Sequence, residues 1–526
     1  MGRIGRPWRR LRAVPRPLAA LLFAVAVFGV AWALVMPPFQ GPDEIQHFTY
    51  VETLAQRHEL PGRPNTGTPE AGVDLARPSP TTLAQMTAAR PQANGTNPVS
   101  SALRAVLDAT NGDGVTTGLA KPVQSPLAFD QWLAGGAMES QRDGGGTFPG
   151  SGYPPGYYAF DALGYGLASG GNIVDHLYAA RLWSVLCLLL TTAGAWLLAG
   201  ELLGRRNRPA QMVAAASVGL WPMLSFLSSM VNPDALLYAS WTWSFWAMAV
   251  IVRRGMTAGR LAALIALIAV ALLSKETSIA LAPSAAFVVG LGFWRMRRAG
   301  RAAWGRSALV LLLVLGVPVL GFVVFSVLGH RPLLSQANSV LSGGVSNGSE
   351  FLSYVWQYYL PRLPGQQSIR LDIPSISSYP AYNVWVATGW GAFGWVTVYF
   401  PHGFYPWFLA ITVLIAVGAT TRVGRALWRG RGTPWLRGDA LPLLLAFGLA
   451  ALVLVAGLHL TEYKLRSPTN QGRYLFPLAG LAGVAVALTV QWLPARARDA
   501  ARGLVLGALV VFQLGSLGYV AATYYA

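Results

Sequence analysis

The run Pro17-Leu-Ala-Ala-Leu-Leu-Phe-Ala-Val-Ala-Val-Phe-Gly-Val-Ala-Trp-Ala-Leu-Val-Met36 carries no charged residue. At a rise of about 1.5 Å per residue it is long enough to cross the ~30 Å hydrocarbon core of a bilayer. It runs directly into Pro37-Pro-Phe-Gln-Gly-Pro-Asp-Glu-Ile-Gln-His-Phe48. Pro37, Pro38 and Pro42 cannot continue a helix, so the chain leaves the bilayer there and Asp43, Glu44 and His47 stand at its surface. Carboxylates at that depth are costly unless they have a partner or a task. Taken alone, the stretch reads equally well as an ordinary polar cap on a membrane helix.

The rest of the chain follows the same pattern. Of the 526 residues, 53% are hydrophobic and only 12% are charged, about half the charge of a soluble domain. The net charge of +19 could mark a nucleic-acid binder, so the placement of the charges has to decide. Arg clusters fall at residues 3–16, 205–208, 253–260, 295–306, 422–437 and 496–502, in alternate segments between apolar runs. Those segments hold 25 of the 40 Lys and Arg but only Glu201, Asp439 and Asp499 among the acids. This is the asymmetry of cytoplasmic loops, and it accounts for the basic balance without nucleic acid.

The expected fold is therefore an all-α polytopic membrane protein of about eleven spans. They lie at roughly 17–36, 177–200, 209–230, 234–252, 258–274, 277–294, 307–329, 402–421, 440–460, 472–493 and 503–524. The basic tail 1–16 is cytoplasmic, the first span is a retained signal anchor, and the C-terminus is outside. Two large outer loops, 37–176 and 330–401, carry interfacial helices and divide spans 2–7 (177–329) from spans 8–11 (402–526). The Gly- and Pro-rich middle of the first loop, about 62–150, reads as an irregular or mobile lid. Its end, Gly152-Tyr-Pro-Pro-Gly-Tyr-Tyr-Ala-Phe-Asp161, reads as an interfacial helix with Tyr at headgroup depth. The aromatic stretch Trp385–Trp395 reads as a membrane-interface belt in preference to a sugar-stacking wall. Cys187 is the sole cysteine, so no internal disulfide braces these loops, and its apolar surroundings suit an unreactive core thiol.

Further ionisable residues collect on the same outer side. Asn232 and Asp234 open the fourth span; Asn232 reads slightly better as a helix cap, and Asp234 suits either a cap or a site. Lys275 and Glu276 lie between two apolar runs, in a chain with three Lys and 37 Arg. In the last outer loop Lys464, Arg466 and Arg473, with Tyr474, bring cations to a face that is otherwise slightly acidic. Arg473 already begins an apolar span, where a guanidinium needs a specific partner.

Acids beside cations at a membrane boundary suit a reaction on a lipid phosphate. The phosphate leaving group needs cations, which Arg can supply as a bidentate fork and Lys as a point charge. The attacking hydroxyl needs a base, for which Asp43 or Glu44 is placed. The cytoplasmic segments show no Gly-rich nucleotide fingerprint. The expected partners are a polyprenyl-phosphate-linked sugar donor, a glycan, glycolipid or protein acceptor, and membrane lipids.

The sequence resembles the GT-C superfamily of multi-span membrane glycosyltransferases, and within it the bacterial DUF2142-type members. The resemblance lies in Pro42-Asp-Glu-Ile-Gln-His-Phe48, Tyr153-Pro-Pro-Gly-Tyr-Tyr158, Asn232-Pro-Asp234, Ser274-Lys-Glu-Thr277 and Gln471-Gly-Arg-Tyr-Leu-Phe-Pro477, in the family's order. It implies a catalytic carboxylate at Asp43 with Glu44 adjacent, a second acidic motif at Asp234, and lipid-phosphate contacts near Lys275 and Arg473. Where relatives commonly have Arg after the acidic pair, this chain has His47. Some relatives bind a divalent ion between outer-loop acids, so Mg or Mn between Asp43 and Asp234, near His47, is the alternative to the metal-independent site expected here. A transporter or flippase, or a polymerase or ligase for lipid-linked glycans, is the rival function. A transporter should carry polar residues at mid-span and repeated halves, whereas the spans here are nearly free of ionisable residues and show no repeat.

Overall fold

A computed structural model describes residues 14–62, 98–110, 126–135, 139–146, 148–299, 348–366, 379–429, 439–465 and 470–525. In chain order the helices are α1 (Arg16–Val35), α2 (Glu44–Arg57), α3 (Ser101–Thr110), α4 (Pro126–Ala134), α5 (Gly156–Gly166), α6 (Ile173–Leu203), α7 (Arg208–Gly219) and α8 (Pro222–Ser228). They continue as α9 (Asp234–Arg254), α10 (Ala258–Ser274), α11 (Ala282–Arg298), α12 (Gly348–Tyr359), α13 (Tyr405–Arg429), α14 (Ala440–Leu465), α15 (Ala479–Trp492) and α16 (Ala495–Tyr525). A single two-stranded antiparallel hairpin, β1 (Ala392–Phe393) and β2 (Val398–Tyr399), is the only sheet among the described residues.

Eight helical segments among the described residues are long and apolar enough to cross a membrane, and a bent pair makes a ninth. The expected single span at 209–230 is that pair, α7 and α8, bent by 60°. Pro222 has no N–H to offer the preceding turn, so the helix stops and restarts there. The expected span at 258–274 is a shorter apolar helix, α10, of 17 residues. The expected span at 307–329 lies outside the described residues.

In α1 the sequence shows directly which face goes where. Leu18, Leu21, Val25, Gly29 and Trp32 are buried at helical spacing, whereas Phe23, Val27, Val30 and Leu34 face outward. A Cβ on Gly29 would stand 2.7 Å from Val185 Cγ1, so α1 and α6 approach closely only because this residue has no side chain.

The bundle has two chemically distinct ends. At one, Glu201 accepts from Arg254 Nε at 2.9 Å and pairs with Arg205 at 3.6 Å, and Arg295 pairs with Asp439 at 3.0 Å. Arg295 also donates to Val252 O, which ties the two pairs together. Asp234 and Arg254 begin and end α9, so about 30 Å of helix separates this arginine end from the end that carries Asp234.

Two segments expected at the membrane surface bury many of their aromatic rings inside the protein. In α5, Tyr157, Tyr158 and Tyr165 are at most 1% exposed. Tyr158 stacks on Tyr50 at 3.9 Å and Tyr165 on His176 at 4.0 Å. Their hydroxyls find partners inside the protein, at Ser184, His47 and Gln141 respectively, so they have no need of headgroups; Leu163 and Leu167 form the exposed face. In the second outer loop Phe393, fully buried, stacks on Trp32 at 5.0 Å, and Trp390 stacks on Phe408 at 5.1 Å. Trp385, Trp390 and Trp395 of the same segment are half-buried. Earlier in that loop, α12 buries Tyr354 and Tyr358 and exposes Leu352 and Trp356.

Most of the stretch expected to be a lid, about 62–150, lies outside the described residues, which include α3 and α4. α3 buries Leu103, Val106 and Leu107, and Ser100 Oγ donates to Glu52 Oε1 of α2 at 2.8 Å. Cys187 is free and buried.

Candidate active site

Three prolines after α1 force a tight loop, and at its end Asp43 takes a left-handed backbone, φ 58° and ψ 14°. Asp tolerates this conformation better than most residues. The turn has a chemical result: consecutive carboxylates point in opposite directions. Asp43 faces the outside of the loop, its side chain 31% exposed, and Oδ2 accepts from Arg473 Nη2 at 2.7 Å. Glu44 faces inward and is fully buried.

The partner cation comes from the far end of the chain. Arg473 sits in a 3₁₀ segment, Gly472–Leu478, that leads into α15. Its backbone is fixed by Gly472 N donating to Thr388 Oγ1 at 2.6 Å and by Tyr238 OH donating to Arg473 O at 3.3 Å. A Cβ on Gly472 would stand 2.4 Å from Gly389 N, so only glycine lets the two backbones meet.

A second ion pair lies beside the first. Pro233 starts α9 and places Asp234 in its first turn, where a carboxylate is favoured by the helix dipole. Lys275, at the break after α10, reaches Asp234 Oδ1 with Nζ at 2.6 Å. Tyr474 joins the pairs: Lys275 Nζ and Arg473 Cζ each lie 5.2 Å from its ring centroid, within the range of cation–π attraction.

Both pairs leave capacity unused. Arg473 Nε and Nη1 and Asp234 Oδ2 are buried with no hydrogen-bond partner. Arg473 thus spends one terminal nitrogen on Asp43 and keeps the other and Nε open. Two open guanidinium N–H groups beside a lysine can take an anionic oxygen.

The electrostatics follow from this arrangement. Burial pushes the Asp43 carboxyl up, but Arg473, with His47 and Lys275 adding, outweighs it and holds the group below the usual carboxylate range. His47 is buried, its Nδ1 lies 2.9 Å from Tyr158 OH, and burial lowers its pKa to about 4. It is a neutral imidazole at neutral pH.

The structure thus gathers Asp43, His47, Asp234, Lys275, Arg473 and Tyr474, which are scattered over more than 400 residues of sequence. Asn232 lies at the edge as both cap and tether, accepting Asp234 N–H at 2.9 Å and donating to Pro42 O at 3.1 Å. Lys464 is in the last turn of α14, and the contacts of Asp43 and Asp234 do not include it. Arg466 lies outside the described residues. Among the described residues no three His, Cys, Asp or Glu side chains are grouped to hold a metal ion. Asp43 and Asp234 each already give an oxygen to a side-chain cation.

Arg181 is the residue that sequence reasoning missed. It lies within α6, fully buried, and clamps Glu44 with Nε–Oε1 at 2.8 Å and Nη2–Oε2 at 2.6 Å. Its other N–H groups go to the carbonyls of Ala33 and Met36 at the end of α1 and of Pro37 just beyond it. The signal was available: a lone Arg in an apolar span must have an acidic partner.

Among solved structures the chain is similar to ArnT from Cupriavidus metallidurans bound to undecaprenyl phosphate, with 14% identity, TM-score 0.46, and 96% of this chain and 74% of that one covered. It is also similar to the oligosaccharyltransferase AglB from Archaeoglobus fulgidus in complex with an inhibitory peptide and a dolichol-phosphate, with 12% identity and TM-score 0.46. That match covers 97% of this chain, which spans 56% of the archaeal protein's length. No curated protein sequence matches. With both TM-scores below 0.5, assignment rests on the family match over residues 26–482. The chain belongs to the family described as predicted membrane protein DUF2142.

Proposed function

We propose that this protein is a membrane glycosyltransferase that moves a sugar from a polyprenyl-phosphate donor to a hydroxyl acceptor on the outer face of the cytoplasmic membrane. The observation that carries this reading is Arg473, paired to Asp43 through one nitrogen and left with two buried, unpartnered donors beside Lys275 and Tyr474. Those donors suit the phosphate of the donor lipid.

In the reaction the acceptor oxygen forms a bond to the anomeric carbon, and the bond from that carbon to the phosphate oxygen breaks. The acceptor proton passes to Asp43, and the polyprenyl phosphate leaves with the electron pair, its charge covered by Arg473 and Lys275. The Arg473 pair makes Asp43 a weak base at rest. Binding of a phosphate draws the guanidinium toward a second anion, which raises the basicity of Asp43 only when a donor is present. Glu44 takes no part in proton transfer, because its oxygens are committed to Arg181 and two backbone N–H groups. Asp234, through its open Oδ2, and the neutral imidazole of His47 contact substrate hydroxyls.

Asp43→Asn in a deletion strain tests the reading. Envelope glycans from that strain should lack the sugar that the wild-type gene restores, while the purified variant still binds undecaprenyl phosphate. A transporter should be little affected by the change, so full restoration by Asp43→Asn would sink the proposal.

A further inference from the structure

Two residues on one face of α6, Arg181 and Ser184, each start a chain of side-chain contacts that ends on the loop before α9. Arg181 holds Glu44, whose Oε1 accepts the N–H of Val231 at 3.2 Å. Ser184 Oγ lies 2.7 Å from Tyr157 OH, and that hydroxyl accepts the N–H of Asn232 at 2.8 Å. Consecutive backbone N–H groups thus hang on two struts that return to positions three apart on one helix, a spacing that shares a face. Asn232 then spans the gap, donating to the carbonyl that precedes Asp43 and accepting from the N–H of Asp234.

The second strut continues beyond Tyr157. Because Tyr157 oxygen accepts from Asn232, its O–H is free to donate to Ser184, whose own O–H reaches Asp161 Oδ1 at 3.0 Å. Asp161 is fully buried, and its Oδ2 has no partner. Burial pushes its carboxyl well above the usual range.

We propose that Tyr157, Ser184 and Asp161, together with the Arg181–Glu44 clamp, are positioning residues that make α6 the ruler for the gap between the Asp43 and Asp234 loops. Base and phosphate clamp then face one sugar phosphate. This rests on the glycosyltransferase reading above.

Tyr157→Phe keeps the buried ring and removes only the hydroxyl; Asp161→Leu breaks the same strut two steps away, and Asp161→Asn keeps an acceptor oxygen. Three readouts are taken on the full chain: glycan restoration in the deletion strain, binding of undecaprenyl phosphate, and amide hydrogen exchange over residues 229–236. Tyr157→Phe and Asp161→Leu are expected to lower transfer roughly ten- to hundredfold, as sub-ångström misplacement does. They should also speed exchange at Asn232 and leave lipid-phosphate binding within about twofold. Asp161→Asn should recover most of what Asp161→Leu loses, which separates a specific acceptor from bulk packing. Faster exchange with wild-type transfer, or unchanged exchange, overturns the positioning role. If wild type restores no sugar, or Asp43→Asn restores it fully, the parent reading itself fails and takes this one with it.

Discussion

Asp43 and Glu44 are neighbours with opposite roles, and one backbone torsion separates them. Charge beside an apolar run made both legible as site candidates, but the left-handed φ at Asp43, which turns Glu44 inward, has no signature in Pro-Asp-Glu. Glu44→Ala leaves Arg181 charged in a fully buried position, so it should destabilise the protein by about 3–5 kcal/mol, read as a lowered thermal midpoint in detergent. Glu52 makes a pH prediction with the opposite sign to an ordinary carboxylate. Burial raises it to about 8, so between about 4.5 and 8 the folded state holds a proton that the unfolded state has lost. Stability from this group is complete below that window and declines as pH rises through it; Glu52→Gln should flatten the decline in thermal midpoint between pH 5 and 8. His47, lowered to about 4, acts the other way, with stability falling as pH drops from 6.5 toward 4.

Among the elements, α1 was readable nearly to the residue, because prolines punctuate both ends of an uninterrupted apolar run. The α7–α8 break was not, since Trp221-Pro222 lies inside a run with no charged residue from Pro209 to Pro233. The tyrosines of α5 misled for a related reason: an amphipathic ring suits headgroups and a satisfied core equally, and only the partners Ser184, His47 and Gln141 decide. The segment entering α15 carries the sharpest prediction at this scale. Gly472→Ala places a methyl against the Gly389 backbone, which cannot rotate away, so the turn bearing Arg473 must shift. Such overpacking costs typically 1–3 kcal/mol. Binding of undecaprenyl phosphate should weaken at least tenfold even where the protein still folds.

For the whole molecule, the separation of an arginine-rich end from the end with the two ion pairs fixes a testable orientation. Cysteine introduced at Glu59, exposed just beyond α2, should react with an impermeant maleimide on intact cells. Cysteine at Arg206 should react only after permeabilisation. Cys187 is fully buried and gives a quiet background. Reversed labelling would put the chemistry on the cytoplasmic side and remove the need for a lipid-borne donor.

The matched charges at Asp43–Arg473 and Lys275–Asp234 bear on selectivity. A cradle that is neutral when vacant exerts little long-range pull on passing anions, so orthophosphate or a soluble sugar phosphate gains almost nothing there to offset its dehydration. On the glycosyltransferase reading proposed above, only a ligand whose isoprenoid tail stays dissolved in the leaflet would arrive at high local concentration, and the membrane would thereby screen substrates before any protein atom touches them.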